Sequence, residues 1–291
     1  YRILLLDRAH FPSDTLSTHF FRSPMFKVLE RLGVLNQVSS LAPKLVNNFN
    51  SVDGHVFTEP VESPDGPSHY LCVRRITLDD ILINRVRREP TVSLLEGAVV
   101  EDLLFEDGRV VGVRWLENGS RRGAKARVVV GADGIHSVVA RKTQPAQENS
   151  EPVRRAMFYA YYGDLEPQPG PSAEFHYRGN RLVYVFPTDA RLTLLAASMP
   201  IEEFQEFRRD PESRLELELE SMAELRERLR GAKRIGPVKG AGNIPGYQRV
   251  PFGPGWVLAG DSGQIMDPWS GQGIDQASTH ASLLAQSLDE W

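Results

Sequence analysis

A single cysteine, Cys72, leaves no partner for an intrachain disulfide and suits a reducing compartment, so a cytoplasmic location is expected. Nothing near it suggests an activated thiol, and it reads as a small buried apolar residue. No apolar run approaches the roughly 20 residues that span a bilayer, and no signal peptide is recognisable, so no integral membrane span is expected. The seven histidines show no paired spacing, which leaves no metal ligand set. Charge of one sign is not in excess either: 34 basic against 38 acidic side chains give a formal −4, favouring neither nucleic acid nor an anionic membrane surface. These absences leave small-molecule chemistry. An initiator Met is also missing; the chain opens on the strand-like run Ile3 to Leu6 and closes on a helix without a stop signal after Leu288, as expected of a fragment.

What is present, 291 residues at 41% hydrophobic content, is enough for one large or two ordinary domains. The most informative stretch is Trp256 to Trp291. Trp256 to Ala259 have strand composition, Gly260-Asp261 ends them, and Asp267-Pro268-Trp269-Ser270-Gly271-Gln272-Gly273 makes a turn before a helix with apolar positions at Ile274, Ala277, Ala281, Leu284 and Leu288. A carboxylate at the C-terminal end of such a strand lies where open α/β sheets place ligands and can accept hydrogen bonds from hydroxyls. Gly271 and Gly273 at the helix start let free N–H groups approach a negatively polarised group. A polyol attached to a partly anionic ring satisfies both.

This arrangement resembles the second FAD-binding motif of single-component flavoprotein monooxygenases, the family with the para-hydroxybenzoate hydroxylase fold, related to flavin halogenases and geranylgeranyl reductases. The resemblance covers essentially the whole chain and implies that Gly260 and Asp261 meet the ribityl chain of FAD. It implies that Gly271, Gln272, Gly273 and Ile274 set a helix N-terminus against the flavin pyrimidine, and that Asp267 and Pro268 shape the reacting edge. Pro268 and the Gly271 backbone are thus the candidate catalytic environment, with no side chain an obligatory acid or base. The family's G-x-G-x-x-G phosphate loop is absent, and its expected place is upstream of Tyr1, in the rest of a βαβ unit of about 30 residues.

The rest of the chain follows the same order. Ile3 to Leu6 reads as a parallel strand covered on both faces and ending in Asp7. Alone, Asp7 is an ordinary strand end; the resemblance gives it the adenosine ribose, with Arg8 near the adenine. A polar loop, 13–19, precedes a helix from Pro24 to a Gly33 stop. The resemblance makes Ser17, Thr18, His19 and Arg22 flavin contacts; His19 reads equally as a structural histidine. Val46 to Val61 alternates as a half-buried strand region, and Pro60 to Pro67 is rich in turn residues. Thr77 is a candidate N-cap of an amphipathic helix, and Arg75 occupies the place of a family FAD contact. Three strand-like runs from Val92 to Val130 are joined at Asp107-Gly108 and Asn118-Gly119. The latter, although Asn118-Gly119-Ser120 spells a glycosylation acceptor, reads as a hairpin turn. They lead to Asp133-Gly134, which resembles a family motif handling both FAD and NAD(P)H.

After Pro152 the aromatic, alternating runs Met157 to Gly163, Ala173 to Tyr177, Leu182 to Phe186 and Leu192 to Ser198 predict an antiparallel sheet. One face could line an apolar pocket, although any single aromatic is more simply core. Asp210-Pro211 starts a helix through Leu215, Leu219, Met222, Leu225 and Leu229 to Gly231.

The expected fold is α/β: a discontinuous, doubly wound, Rossmann-like FAD domain of the glutathione-reductase type (1–45, 71–152 and 245–291) with an inserted antiparallel substrate domain (46–70 and 153–244). The resemblance implies FAD as cofactor, NAD(P)H and O2 as co-substrates, and oxygen transfer through a flavin C4a-hydroperoxide to an electron-rich, largely apolar small molecule, such as a secondary metabolite. The alternatives are a reductase of prenyl-type double bonds, a flavin halogenase, whose Trp-x-Trp-x-Ile-Pro signature is absent, and a non-catalytic binding protein on the same fold.

Overall fold

The computed structural model describes residues 1–63 and 68–291, so the end of the turn-rich stretch, 64–67, lies outside the described residues. The expected mixed α/β fold is what forms. Its largest sheet has seven strands in the order Lys233–Ala241, Arg155–Gly163, Thr193–Pro200, Arg181–Pro187, Ser172–Arg178, Asn47–Val52 and His55–Pro60. All neighbours are antiparallel except Ser172–Arg178 with Asn47–Val52. Strand alternation sorts the side chains between two faces. Phe158, Ala160, Tyr162, Val183, Val185 and Leu195 pack under the helices, against Phe207, Leu215, Leu219, Met222 and Leu225. Met157, Tyr159, Tyr184, Phe186 and Leu194 form the opposite face, which Phe20, Leu45 and Cys72 cover. On this second face Tyr159, Tyr184 and Phe186 are all but inaccessible, so they are core rather than an open pocket.

Two short parallel pairs carry the cofactor-type corners: Ile3–Asp7 beside Val92–Glu96, and Val129–Gly131 beside Trp256–Leu258. The helices Ser23–Arg31 and Gly273–Glu290 pack together, with Ser278 donating to the sulfur of Met25 at 3.0 Å. Both Asp-Gly and Asn-Gly hairpins form with positive φ at Asp107, Gly108, Asn118 and Gly119, the left-handed pair that a tight hairpin needs.

Four expectations change. Ile3 to Leu6 is not covered on both faces: among the described residues the strand pairs only with Val92–Glu96, and Ile3 and Leu4 remain 50% and 39% exposed. The three runs from Val92 to Val130 resolve into five strands, because turns at 97–98 and 126–128 interrupt them. The long helix after Asp210 breaks into Pro211–Glu220 and Ala223–Leu229, since Met222 adopts an extended conformation that drops its side chain into the core. Thr77 is not an N-cap: its helix starts at Arg75, and its hydroxyl donates to Asp189 at 2.7 Å.

Asp189 is the joint between the large sheet and that helix. Its carboxylate accepts from the Arg74 backbone N–H (2.9 Å), the Arg74 guanidinium (2.8 and 3.0 Å), Thr77 and Thr188. Burial alone would raise its pKa, but these donors outweigh it and hold the carboxyl at about 2. Because the folded value lies below the unfolded one, the contribution is full above about pH 4 and is lost as pH falls towards 2, worth roughly 2 kcal/mol. Asp189→Asn is therefore expected to lower urea-unfolding stability by about 2 kcal/mol at pH 7. Its stability should also fall less steeply than the parent's between pH 4 and pH 2; an unchanged acid slope would refute the joint.

Candidate functional site

The corner at Gly260-Asp261 is built by saturating its backbone from inside. Ala259 N–H donates to the Gly131 carbonyl at 2.9 Å, and the Ser262 hydroxyl reaches the carbonyls of Gly131 and Ala259. Gly260 has φ +64 and a Cβ there would lie 3.3 Å from Ala277 Cβ, so the helix Gly273–Glu290 can approach this closely only at a glycine. The same helix places His280 Nδ1 to accept the Gly260 N–H at 3.1 Å.

With the backbone occupied, the Asp261 side chain is left over. No described group hydrogen-bonds its carboxylate, and the residue is exposed to solvent. Desolvation by the surrounding protein raises its pKa, opposed by the charges of Arg75 and His280. His280 is itself pushed down by burial. An exposed carboxylate without a donor of its own is able to accept hydrogen bonds from hydroxyls.

The second half of the motif is a turn and a bare helix end. Asp267 accepts from Trp269 N–H at 2.9 Å, and Gly271, φ +62, reverses the chain into Gln272, which caps Gly273–Glu290 without any side-chain hydrogen bond. The first-turn N–H groups at Gly273 and Ile274 therefore remain unclaimed by a capping side chain. Pro268 begins the short helical turn 268–270, which is fixed to the sheet on one side. Arg155 stacks on the Trp269 ring at 3.3 Å, its Nε is 3.8 Å from Asp267, and Tyr184 donates to the Trp269 carbonyl at 3.1 Å.

The loop residues take different roles. Ser17 Oγ accepts the His19 N–H (3.0 Å), and the Thr18 carbonyl faces the Cys72 thiol. His19 is fully buried with φ +62; its Nδ1 accepts from the Arg75 N–H at 3.3 Å, which leaves the ring proton on Nε2, 2.6 Å from the Tyr161 hydroxyl. Burial, more than any charge, lowers the His19 pKa to about 3, so the ring is neutral. Arg22 is paired with buried Asp275, through backbone (2.9 Å) and guanidinium (3.1 Å), tying this loop to the helix that starts at Gly273. Arg75 forms a two-point pair with Asp79 at 2.7 and 2.8 Å. Hence 17–22, Arg75, Gly260-Asp261 and 271–275 converge.

Asp133 caps its own helix, accepting from Val138 N–H at 2.6 Å, and Gly134 has φ +73. Asp7 accepts the Ala9 N–H at 2.8 Å and Arg8 is exposed; among the described residues neither is hydrogen-bonded to Asp261. Residue-by-residue reading missed His280, Asp275, Tyr247 and Arg249. Helical spacing was a usable signal for one of them: Ala277 and His280, three apart, share the face that meets Gly260.

With this geometry in view, comparison with known proteins is decisive at the level of family. All of residues 1–291 match the model of the FAD binding domain family. The chain belongs to that family. Its curated relatives include the 1H-pyrrole-2-carbonyl-[peptidyl-carrier protein] brominase of Pseudoalteromonas luteoviolacea, 24% identical over 252 residues, covering 84% of this chain and 60% of the brominase. Another is the digeranylgeranylglycerophospholipid reductase of Methanocella arvoryzae, 30% identical over 200 residues, covering 62% of this chain and 45% of the reductase. Among solved structures, the myxobacterial chondrochloren halogenase CndH superposes with a TM-score of 0.86 at 23% identity, covering 98% of this chain and 68% of that one. PqsL, "a probable FAD-dependent monooxygenase" from Pseudomonas aeruginosa, gives 0.77 at 22% identity, covering 99% and 79%. The chain thus spans 60% or less of these curated relatives, and the structural likenesses establish the fold.

Gly260→Ala should test the corner. A left-handed backbone and the Ala277 contact together are expected to cost about 1–2 kcal/mol in denaturant unfolding. Stability within about 0.3 kcal/mol of the parent would show that the close approach is not needed.

Proposed function

We propose that this chain is the flavin-holding part of an FAD-dependent oxidoreductase, and within that class of an NAD(P)H-dependent monooxygenase that hydroxylates or epoxidises an electron-rich, largely apolar small molecule. The observation that carries the reading is the donor-free Asp261 carboxylate beside the uncapped start of Gly273–Glu290. A ligand with a hydroxylated chain and an electron-rich ring edge satisfies both, as FAD does.

When bound, FAD would supply hydride acceptance from NAD(P)H and the activation of O2. This chain's residues would do the rest. Asp261 would accept ribityl hydroxyls, and the N–H groups from Gly271 to Ile274, with the helix dipole behind them, would stabilise negative charge on the pyrimidine edge. Pro268 would pack at the reacting edge. Asp7 and Arg8 would serve the adenosine end, and Asp133-Gly134 the approach of the nicotinamide substrate. In this reading 1–45, 71–152 and 245–291 form the cofactor part, and 46–70 with 153–244 form the part that closes over the ring and excludes water. His19 would act from behind, since its ring is enclosed and neutral.

A second reading, reduction of a prenyl-type double bond, draws on the 30% identity with the archaeal reductase. Halogenation draws on the brominase relative. Absorbance spectra of the full-length protein under anaerobic NADPH, followed by air, separate these. Bleaching by NADPH and recolouring by air with peroxide release is expected for the monooxygenase, and a protein that takes up no FAD would sink the flavin reading altogether. Asp261→Ala is expected to weaken FAD binding by at least about tenfold, the worth of hydrogen bonds to a charged acceptor. An unchanged Kd would remove Asp261 from the site.

A further inference from the structure

Behind the Asp261 corner runs the strand Gly246–Arg249, which pairs antiparallel with Gln264–Ile265 in the register Tyr247 to Ile265 and Gln248 to Gln264. The pairing brackets the corner, because Gln264 follows it directly and the Arg249 N–H donates to the Gly263 carbonyl at 2.8 Å. Side chains two apart on a strand share a face. Tyr247 and Arg249 therefore both turn back over the corner, while Gln248 points away towards Asn149. The Tyr247 hydroxyl donates to the Asp261 carbonyl at 2.6 Å, and Arg249 donates to the Ser262 carbonyl at 2.7 Å. The guanidinium also lies 4.1 Å from the Tyr247 ring centroid, so each side chain holds the other in place. Tyr247 is buried, at 5% exposure.

We propose that Tyr247 and Arg249 are positioning residues for the cofactor carboxylate: they hold the carbonyls of the two consecutive peptides that follow Asp261, Asp261–Ser262 and Ser262–Gly263, and thereby the direction in which the Asp261 side chain leaves the backbone. This rests on the flavin reading of Asp261. The geometry requires it for a simple reason. Gly260 is left-handed and the Asp261 carboxylate has no partner of its own, so only the peptide orientation aims it. Loss of either grip would let the carboxylate swing without breaking a contact of its own.

The test is a double-mutant cycle on FAD affinity in the full-length protein, read by flavin fluorescence, with thermal melts of the apoprotein alongside. Tyr247→Phe keeps the ring under Arg249 and removes only the hydroxyl. It is expected to raise the FAD Kd about fivefold to tenfold in the parent and by less than twofold in the Asp261→Asn background. Arg249→Gln, a second variant that leaves Tyr247 intact, should show the same coupling. Equal effects in both backgrounds would mean the two residues merely support the fold and would overturn the inference. Failure of the unsubstituted protein to bind FAD is a separate outcome: it would refute the flavin reading and this inference with it.

Discussion

The structure depends on one imbalance, a corner whose backbone is held at several points and whose side-chain carboxylate is not. Residues 259–263 place their N–H and C=O groups on Gly131, Ser262, His280, Tyr247 and Arg249, drawn from a neighbouring parallel strand, the following helix and a returning antiparallel strand. Three separate parts of the chain must be in place before this corner closes. The raised pKa of Asp261 is the cost: desolvation by the surrounding protein disfavours its charged form, and the charges of Arg75 and His280 oppose it. Costs of this kind concentrate at functional sites, because a carboxylate satisfied within the protein has nothing left to offer a ligand.

The same logic runs through the contacts between the large sheet and the rest. The sheet's aromatic face is packed by Phe20, Leu45 and Cys72, and its loop at Thr188–Leu192 is fixed through Asp189 to the helix beginning at Arg75. Arg155 and Tyr184 hold the Trp269 turn. Two of these joints lie beside candidate site residues in the chain: Arg74 precedes Arg75, whose charge acts on Asp261, and Trp269 precedes Gly271 by two. The sheet therefore acts on the site by fixing backbone rather than by lending side chains.

Much of this was legible in the residues. Glycines at 108 and 119 announced tight hairpin turns, alternation announced the sheet, and the Gly-Asp, Asp-Pro and paired-Gly spacing announced the family, because each is a local backbone demand written in one or two residues. Long-range pairings were not legible. Arg22 looked like a ligand contact and is bound to Asp275, 253 residues away; Thr77 looked like a cap and serves Asp189. A charged or hydroxyl side chain shows its capacity to hydrogen-bond but not its partner. The helix break at Met222 was hidden for a related reason: a single apolar period fits one bent helix or two, and only the core below chooses.

The pairing of charges at the site narrows what can bind it. Within a dozen residues the chain presents a full negative charge at Asp261 and the positive end of an 18-residue helix at Gly273. A simple anion would gain at the helix end but be repelled by Asp261, and a simple polyol would serve Asp261 but leave the helix uncapped. In the proposed flavin reading, a molecule carrying hydroxyl donors along one segment and an electron-rich acceptor edge on the next would serve both. Neither element alone would discriminate among the many ligands that helix ends and carboxylates accept. In that reading it is the two together that discriminate, with the helix drawn onto the corner at the close Gly260–Ala277 approach.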